Sequence, residues 1–199
     1  MAHYFDTNPQ AEHQIREIET RIHGIDFRFT TDRGVFSRTR LDYGTELLIE
    51  TVIADQPKMA GKLIDLGCGY GPVGIIMKRV YPALDVTLCD VNQRALTLAR
   101  QNAKANQVAY LTILQSNILA ALEGPVQYIL TNPPIRAGKA TVHEFFSEAH
   151  DKLAPGGLLY VVIQKKQGAP SALAKLKELF SVAEVIEHSA GYWIIRAVA

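Results

Sequence analysis

The sequence predicts an α/β fold. A mostly parallel sheet of seven strands carries helices on both faces, ends in an antiparallel strand and is preceded by an N-terminal β-hairpin. Three observations carry this. After Lys62, apolar strand-length runs alternate with helical segments, the pattern of repeated β-α units. A glycine-rich turn, DLGCGYGPVG from Asp65 to Gly74, joins the first of those strands to a helix. The last two strand-like runs, VAEVIEHS and YWIIRAVA, are separated only by Ala190-Gly191. So short a link makes a hairpin, which forces the final strand to run antiparallel to its neighbour.

The chain has 199 residues, 48% hydrophobic and 21% charged, with a net charge of +1. That is enough for a substantial core in one domain. Residues 1–14 read as a mobile, polar N-terminal arm, and residues 15–199 as a single domain. Within it, 15–58 hold the hairpin, a loop and a helix, and 59–199 the sheet. The hairpin shows in the alternation of Ile18, Thr20 and Ile22, then Ile25, Phe27 and Phe29, about Gly24. A loop with three arginines and two glycines follows, TTDRGVFSRTRLDYG. Asp42 is placed to cap the next helix, which ends before Pro57. Strands are expected at KLIDLG, DVTLCD, AYLTILQ, VQYILTN and LLYVVIQ, with helices GPVGIIMKRVY, NQRALTLARQNAKAN and VHEFFSEAHDKL between them. No stretch resembles a signal peptide or a membrane span. Cys68 and Cys89 lack metal-type spacing and read as reduced thiols of a cytoplasmic protein. The six histidines show no ligand spacing, so no metal is expected, and Tyr192 and Trp193 read as core residues of the last strand.

The glycine turn is where chemistry is expected. Gly67, Gly69 and Gly71 permit a sharp turn and close approach of a ligand to bare backbone. Such a turn is where open α/β sheets bind nucleotides. Gly69-x-Gly71-x-x-Gly74 also fits a dinucleotide fingerprint, with Asp90 near the ribose-binding distance. Asp65 argues against a pyrophosphate, because a carboxylate there suits a cation instead. S-adenosylmethionine (SAM) carries an adenosine, no phosphate, and positive sulfonium and ammonium groups. The D-x-G-x-G-x-G pattern resembles the first motif of class I SAM-dependent methyltransferases, whose Rossmann-like sheet inserts its last strand between the fifth and sixth. The resemblance implies SAM as cofactor, over Asp65, Gly67, Cys68, Gly69 and Gly71. Asp90 would hold the ribose and Val91 the adenine face, unless Asp90 instead caps the following helix. Ser116 and Asn117 would stand at the adenine amino group.

Asn132-Pro133-Pro134-Ile135 follows the fourth strand. Two prolines stiffen the backbone and remove N–H donors, leaving carbonyl acceptors, to which Asn132 adds its side chain. Such acceptors can orient an NH2 lone pair toward a methyl donor and stabilise charge growing on nitrogen. The tetrad resembles the (N/D)-P-P-(Y/F) motif of enzymes that methylate planar amino nitrogens. That implies a catalytic role for Asn132, Pro133, Pro134 and Ile135, with Asn132 also beside the cofactor. Ile135 stands where that motif has an aromatic residue, so the stacking partner for a base must come from elsewhere, with Phe36 or Tyr70 as candidates.

DRGVFSRTRLDYGTELLIE, DLGCGYGPVGI and TNPPIRAGK together resemble the rRNA small-subunit methyltransferase C (RsmC) type, which makes N2-methylguanine in small-subunit rRNA. The likeness runs from about Phe27 to the C-terminus. It implies that Phe36 and Ser37 help enclose the cofactor, with Asp42 and Gly44 at the helix start. Larger relatives carry a second, degenerate methyltransferase-like domain, for which this length leaves no room. Arg38, Arg136 and Lys139, with Arg33, Arg40, Lys165 and Lys166, are expected to form a basic rim for the phosphates of ribosomal RNA or the small ribosomal subunit. Rival readings are a protein glutamine N5-methyltransferase, a nicotinamide oxidoreductase and a non-catalytic SAM- or RNA-binding module. The oxidoreductase leaves the tetrad, Asp65 and the terminal hairpin unexplained.

Overall fold

In the computed structural model, residues 14–32 and 40–199 are described. The N-terminal arm lies almost wholly outside them, as do Arg33, Phe36, Ser37 and Arg38 of the arginine loop. Strands β1 (Arg16–Ile22) and β2 (Ile25–Thr31) form the expected hairpin. His23 and Gly24 both have positive φ at its turn, the geometry that matches the twist of two-residue hairpins.

The main sheet holds β3 (Gly61–Leu66), β4 (Leu84–Asp90), β5 (Leu111–Gln115), β6 (Val126–Thr131), β7 (Leu153–Gln164), β8 (Val182–Ser189) and β9 (Tyr192–Val198). Their order is β5-β4-β3-β6-β7-β9-β8. β9 runs antiparallel to both β7 and β8, while the other neighbouring pairs are parallel. The last strand is thus inserted between the fifth and sixth of the sheet, as expected. Ala190 and Gly191 make its turn with positive φ at both residues.

Helices α1 (Tyr43–Asp55), α2 (Pro72–Val80) and α3 (Gln93–Ala105) cover one face, and α4 (Lys139–Lys152) and α5 (Ala169–Leu179) the other. β7 shows why two buried clusters form: Tyr160 and Val162 point into the first, and Leu159, Val161 and Ile163 into the second. Three boundaries differ by two residues or more, α4 among them, which begins at Lys139 rather than Val142. β5 begins at Leu111, because Tyr110 takes a positive φ and stands 91% exposed. β7 begins at Leu153 and slips register against β6 through the Pro155-Gly156-Gly157 stretch. α5 was not marked by the sequence pattern, although Pro170 in its first turn and the Ala169, Ala172 and Leu176 stripe account for it.

Side-chain amides fasten the hairpin to α3. Asn102 and Asn106 are four apart, so they share one helix face. Asn102 Oδ1 accepts from Thr30 N–H (2.7 Å) and its Nδ2 donates to Thr30 O (2.9 Å) and Tyr70 O (2.9 Å). Asn106 repeats the exchange with the backbone of Arg28. The two amides act as a strand edge for β2, and the Tyr70 bond ties hairpin and glycine turn together. Replacing the buried Asn102 by Ala leaves three backbone groups unpaired. It should cost about 3 kcal/mol of stability, read as a lower urea midpoint at unchanged slope; a loss under about 1 kcal/mol would contradict this account.

Candidate active site

β3 ends at Leu66, and the chain turns through Gly67, Gly69 and Gly71, all at positive φ, into α2. At Gly71 a side chain is also excluded by space, since a Cβ would stand 2.9 Å from Leu88 Cδ2. The N–H groups of Gly67 and Cys68 both donate to Cys89 O. Two carboxylates grip the turn. Gly69 N–H donates to Asp90 Oδ2 (2.9 Å), and Gly74 N–H to Asp65 Oδ2 (2.8 Å). Burial pushes the Asp65 carboxyl up to about 7; the Gly74 N–H opposes that shift and the Asp90 charge adds to it. Burial also raises Asp90, against the N–H groups of Asn92, Gly69 and Val91. The α3 N-cap is Asn92, not Asp90, since its side chain accepts from Arg94 N–H and Ala95 N–H.

Beside this turn lies a cavity of about 230 Å³. Gly67, Asp90, Val91, Ser116, Asn117 and Pro134 line it, so the structure brings these predicted residues together from the ends of β3, β4, β5 and β6. Asp65, Cys68, Gly69 and Gly71 build the turn and do not line the cavity. The Cys68 thiol is buried and points to Gly69 O, and burial raises it well above the usual thiol range. Ser116 is buried, with its Oγ accepting from Ala121 N–H, whereas Asn117 is exposed at the cavity mouth. The sequence reading missed Thr141, Glu144 and Phe145 of α4, which close the far wall. Their i, i+3, i+4 spacing directly after the proline turn was the available signal. Phe145 lies over Gly67, where a Cβ would stand 3.5 Å from its ring.

Asn132 leaves β6 toward α1. Its Nδ2 donates to Asp42 Oδ2 (3.2 Å) and Thr45 Oγ1 (3.0 Å). Thr45 donates both its N–H and its hydroxyl to the same Asp42 oxygen, as the helix N-cap requires. Both partners of Nδ2 are acceptors, so the network fixes the amide with its nitrogen toward α1 and leaves Oδ1 as the remaining acceptor. Pro133 is buried and supplies a second carbonyl. The Pro134 carbonyl is already taken by Ala137 N–H in the 3-10 turn Ile135–Ala137. Ile135 packs on the cluster beneath α4.

Tyr70 is not available to stack on a base, which corrects the sequence expectation. It is 3% exposed and packs edge-on to Phe29 at 5.8 Å. Tyr192 and Trp193, expected in the core, are half-buried at the start of β9 and pack against the two core clusters rather than within them, with Tyr192 beside Tyr43 and Gly44. Arg136, Lys139, Lys165 and Lys166 are exposed along the same edge, and none forms an ion pair among the described residues. Arg40 is exposed there too, and does have a partner. No group of three metal-ligating side chains occurs among the described residues, and no described helix is long and apolar enough to cross a membrane.

The methyltransferase small domain matches residues 26–196 of this chain. The chain belongs to the methyltransferase small domain family. It is 40% identical over 197 residues to the uncharacterized protein YbxB of Bacillus subtilis, covering 98% of this chain and 97% of that one. It is 33% identical to ribosomal RNA small subunit methyltransferase C of Photobacterium profundum, over 71% of this chain and 41% of that enzyme. Among solved structures, the T. thermophilus 16S rRNA N2-guanine methyltransferase (RsmC), in complex with AdoMet and guanosine, superposes with a TM-score of 0.83 at 24% identity. That likeness covers 96% of this chain and 52% of that one, and at this identity it establishes the fold. The cofactor of class I methyltransferases, S-adenosylmethionine, fits the donor set. The cavity offers carboxylate and amide acceptors beside glycine backbone, and among the described residues no cation to receive a phosphate lines it.

Asp65 makes stability depend on pH. Its ordinary value is 3.8, so between there and about 7 the folded chain holds a proton that the unfolded chain has lost. The stability it contributes is complete below the ordinary value and is lost as pH rises through about 7. Without cofactor, Asp65→Asn should therefore be more stable than the wild type at about pH 8, by on the order of 2 kcal/mol, with the gap closing toward about pH 5. Thermal unfolding of both proteins across that range checks this; a gap independent of pH would contradict it.

Proposed function

We propose that this chain is a SAM-dependent N-methyltransferase that modifies an exocyclic amine, guanine N2 of small-subunit rRNA. The observation that carries the reading is the Asn132 carboxamide, whose nitrogen is held by Asp42 and Thr45 so that its oxygen is left as an acceptor, with the Pro133 carbonyl next in the chain. Two acceptors on a stiff turn match the two hydrogens of an amino group attached to a ring. Accepting both draws the nitrogen lone pair out of conjugation and points it along one direction. The same acceptors stabilise the positive charge that grows on nitrogen as the N–C bond forms. The proton then leaves to water, so no general base is required.

When bound, S-adenosylmethionine supplies an electrophilic methyl group on its sulfonium. The residues that would hold it are Asp90 and Val91 at the ribose and adenine, Ser116 and Asn117 at the adenine edge, and the Gly67–Gly71 turn with Asp65 near the cationic end. Arg136 and Lys139, exposed and unpaired among the described residues, suit RNA phosphates around the acceptor. The rRNA target is supported by the relatives named for small-subunit methylation, although this chain spans 41% of the Photobacterium enzyme. YbxB, matched over nearly its full length, carries no named activity.

Methyl transfer from labelled SAM to naked rRNA, small subunits and large subunits, followed by digestion to nucleosides, tests the reading. Label in N2-methylguanosine from the small-subunit RNA is expected. Label in another nucleoside, or only in protein glutamine, would overturn the assigned target. Asn132→Ala should lower kcat by about 10²–10³ with SAM affinity kept within a few fold, because it removes an acceptor used mainly in the transition state. Retained activity would exclude the role given to the tetrad.

A further inference from the structure

The proposed acceptor is a flat base, yet the turn that would hold its amine carries the aliphatic Ile135, half-buried against the cluster beneath α4, and Tyr70 is buried. Some other surface has to take the ring. The strand order says where to look. Asp90 and the glycine turn end β4 and β3, and Asn132 ends β6, so the cofactor cavity lies on one side of Asn132. An acceptor approaching from the other side lies over the ends of β7 and β9. Tyr192 begins β9 there, paired in register with Gln164 at the end of β7.

We infer that Tyr192 is the stacking platform for the acceptor base; this rests on the methyltransferase reading above. Distances tie its ring to the catalytic turn. The Cβ position of Gly44 stands 2.6 Å from Tyr192 Cε1 and 3.1 Å from Asp42 Oδ2, so ring edge and carboxylate flank the same glycine. Asn132 Nδ2 is bonded to that carboxylate oxygen. The ring therefore neighbours the amine-binding turn on the face that α1 covers. It is also held in place. The Tyr43 ring stands 5.8 Å away at 55°. Tyr43 is itself anchored through a 2.8 Å hydroxyl contact with Ser189 Oγ. Tyr192 is only half-buried. Lys165 N–H donates to Gly191 O (2.8 Å), which brings the Lys165–Gln167 turn against the same hairpin tip. Lys165 and Lys166, both exposed and unpaired among the described residues, thus stand on a turn fastened to the hairpin tip next to Tyr192, with charges suited to the phosphates of a splayed-out nucleotide.

Space-filling against Gly44 needs bulk, whereas stacking needs an aromatic ring, and this difference makes the test. Tyr192→Phe keeps the ring and Tyr192→Leu keeps only bulk. With rRNA as acceptor, the leucine variant should raise KM for RNA roughly tenfold, equivalent to about 1.4 kcal/mol, at unchanged SAM affinity, while the phenylalanine variant stays within about twofold of wild type. Equal KM in all three proteins, or equal loss in both variants, would overturn the inference. As a second measurement independent of variant folding, RNA carrying 6-thioguanosine at the modified position is irradiated with the wild-type protein. An adduct on Tyr192 supports the inference, and adducts confined to other residues overturn it. If the wild type methylates no RNA, the functional reading fails and the inference with it; if it methylates RNA and only the Tyr192 results are negative, the inference alone fails.

Discussion

One oxygen of Asp42 joins the parts of this molecule that do different work. Asp42 Oδ2 accepts from the Thr45 backbone, the Thr45 hydroxyl and the Asn132 amide. The first bond starts α1, and the last fixes which atom of the Asn132 amide is left as an acceptor. The same residue lies against Gly44, whose missing side chain lets the Tyr192 ring come close. A helix cap here is thus also the orienting group for an asparagine on a different strand. It makes the segment before the sheet part of the site.

The second constraint is electrostatic. Two carboxylates, Asp65 and Asp90, are 2% and 5% exposed at neighbouring strand ends, and burial raises both. Leaving two such groups charged is unfavourable without compensation. Part of it comes from backbone N–H groups of the glycine turn and of Asn92, which also hold the turn in shape. A turn that resembles a phosphate-binding loop in its glycine spacing thus differs from one in its surroundings, with two buried acids bonded to its N–H groups.

Much of this could be read from the chain. The strands and both two-residue hairpins follow from alternation, glycine placement and the Ala190-Gly191 link, because local backbone rules dominate there, whereas the insertion of the last strand came from the methyltransferase resemblance. The Asp42 cap was legible from an acid placed just before the partly amphipathic run that ends before Pro57. What was not legible depends on side chains meeting across the fold. Phe145 and Thr141 look like ordinary helix residues until the proline turn brings α4 over Gly67. Tyr192 reads as a strand-core aromatic, and only the pairing of β9 with β7 puts it at the site edge. Tyr70, adjacent to the glycines in sequence, turns inward because the hairpin contributes Phe29 to cover it. Asn102 and Asn106 look like polar helix surface, yet they bind a strand edge that lies more than seventy residues away.

The claim on which the rest depends is that Asp42 serves catalysis by orienting Asn132. A double-mutant cycle of Asp42→Ala and Asn132→Ala, read as kcat for methyl transfer to small-subunit rRNA with SAM affinity and thermal unfolding as controls, tests it directly. If Asp42 acts through Asn132, its removal should lower kcat by well over tenfold in the wild-type background. In the Asn132→Ala background the same removal should change kcat by less than about twofold. Equal losses in the two backgrounds would mean that Asp42 acts independently of Asn132, and the orienting role would be wrong.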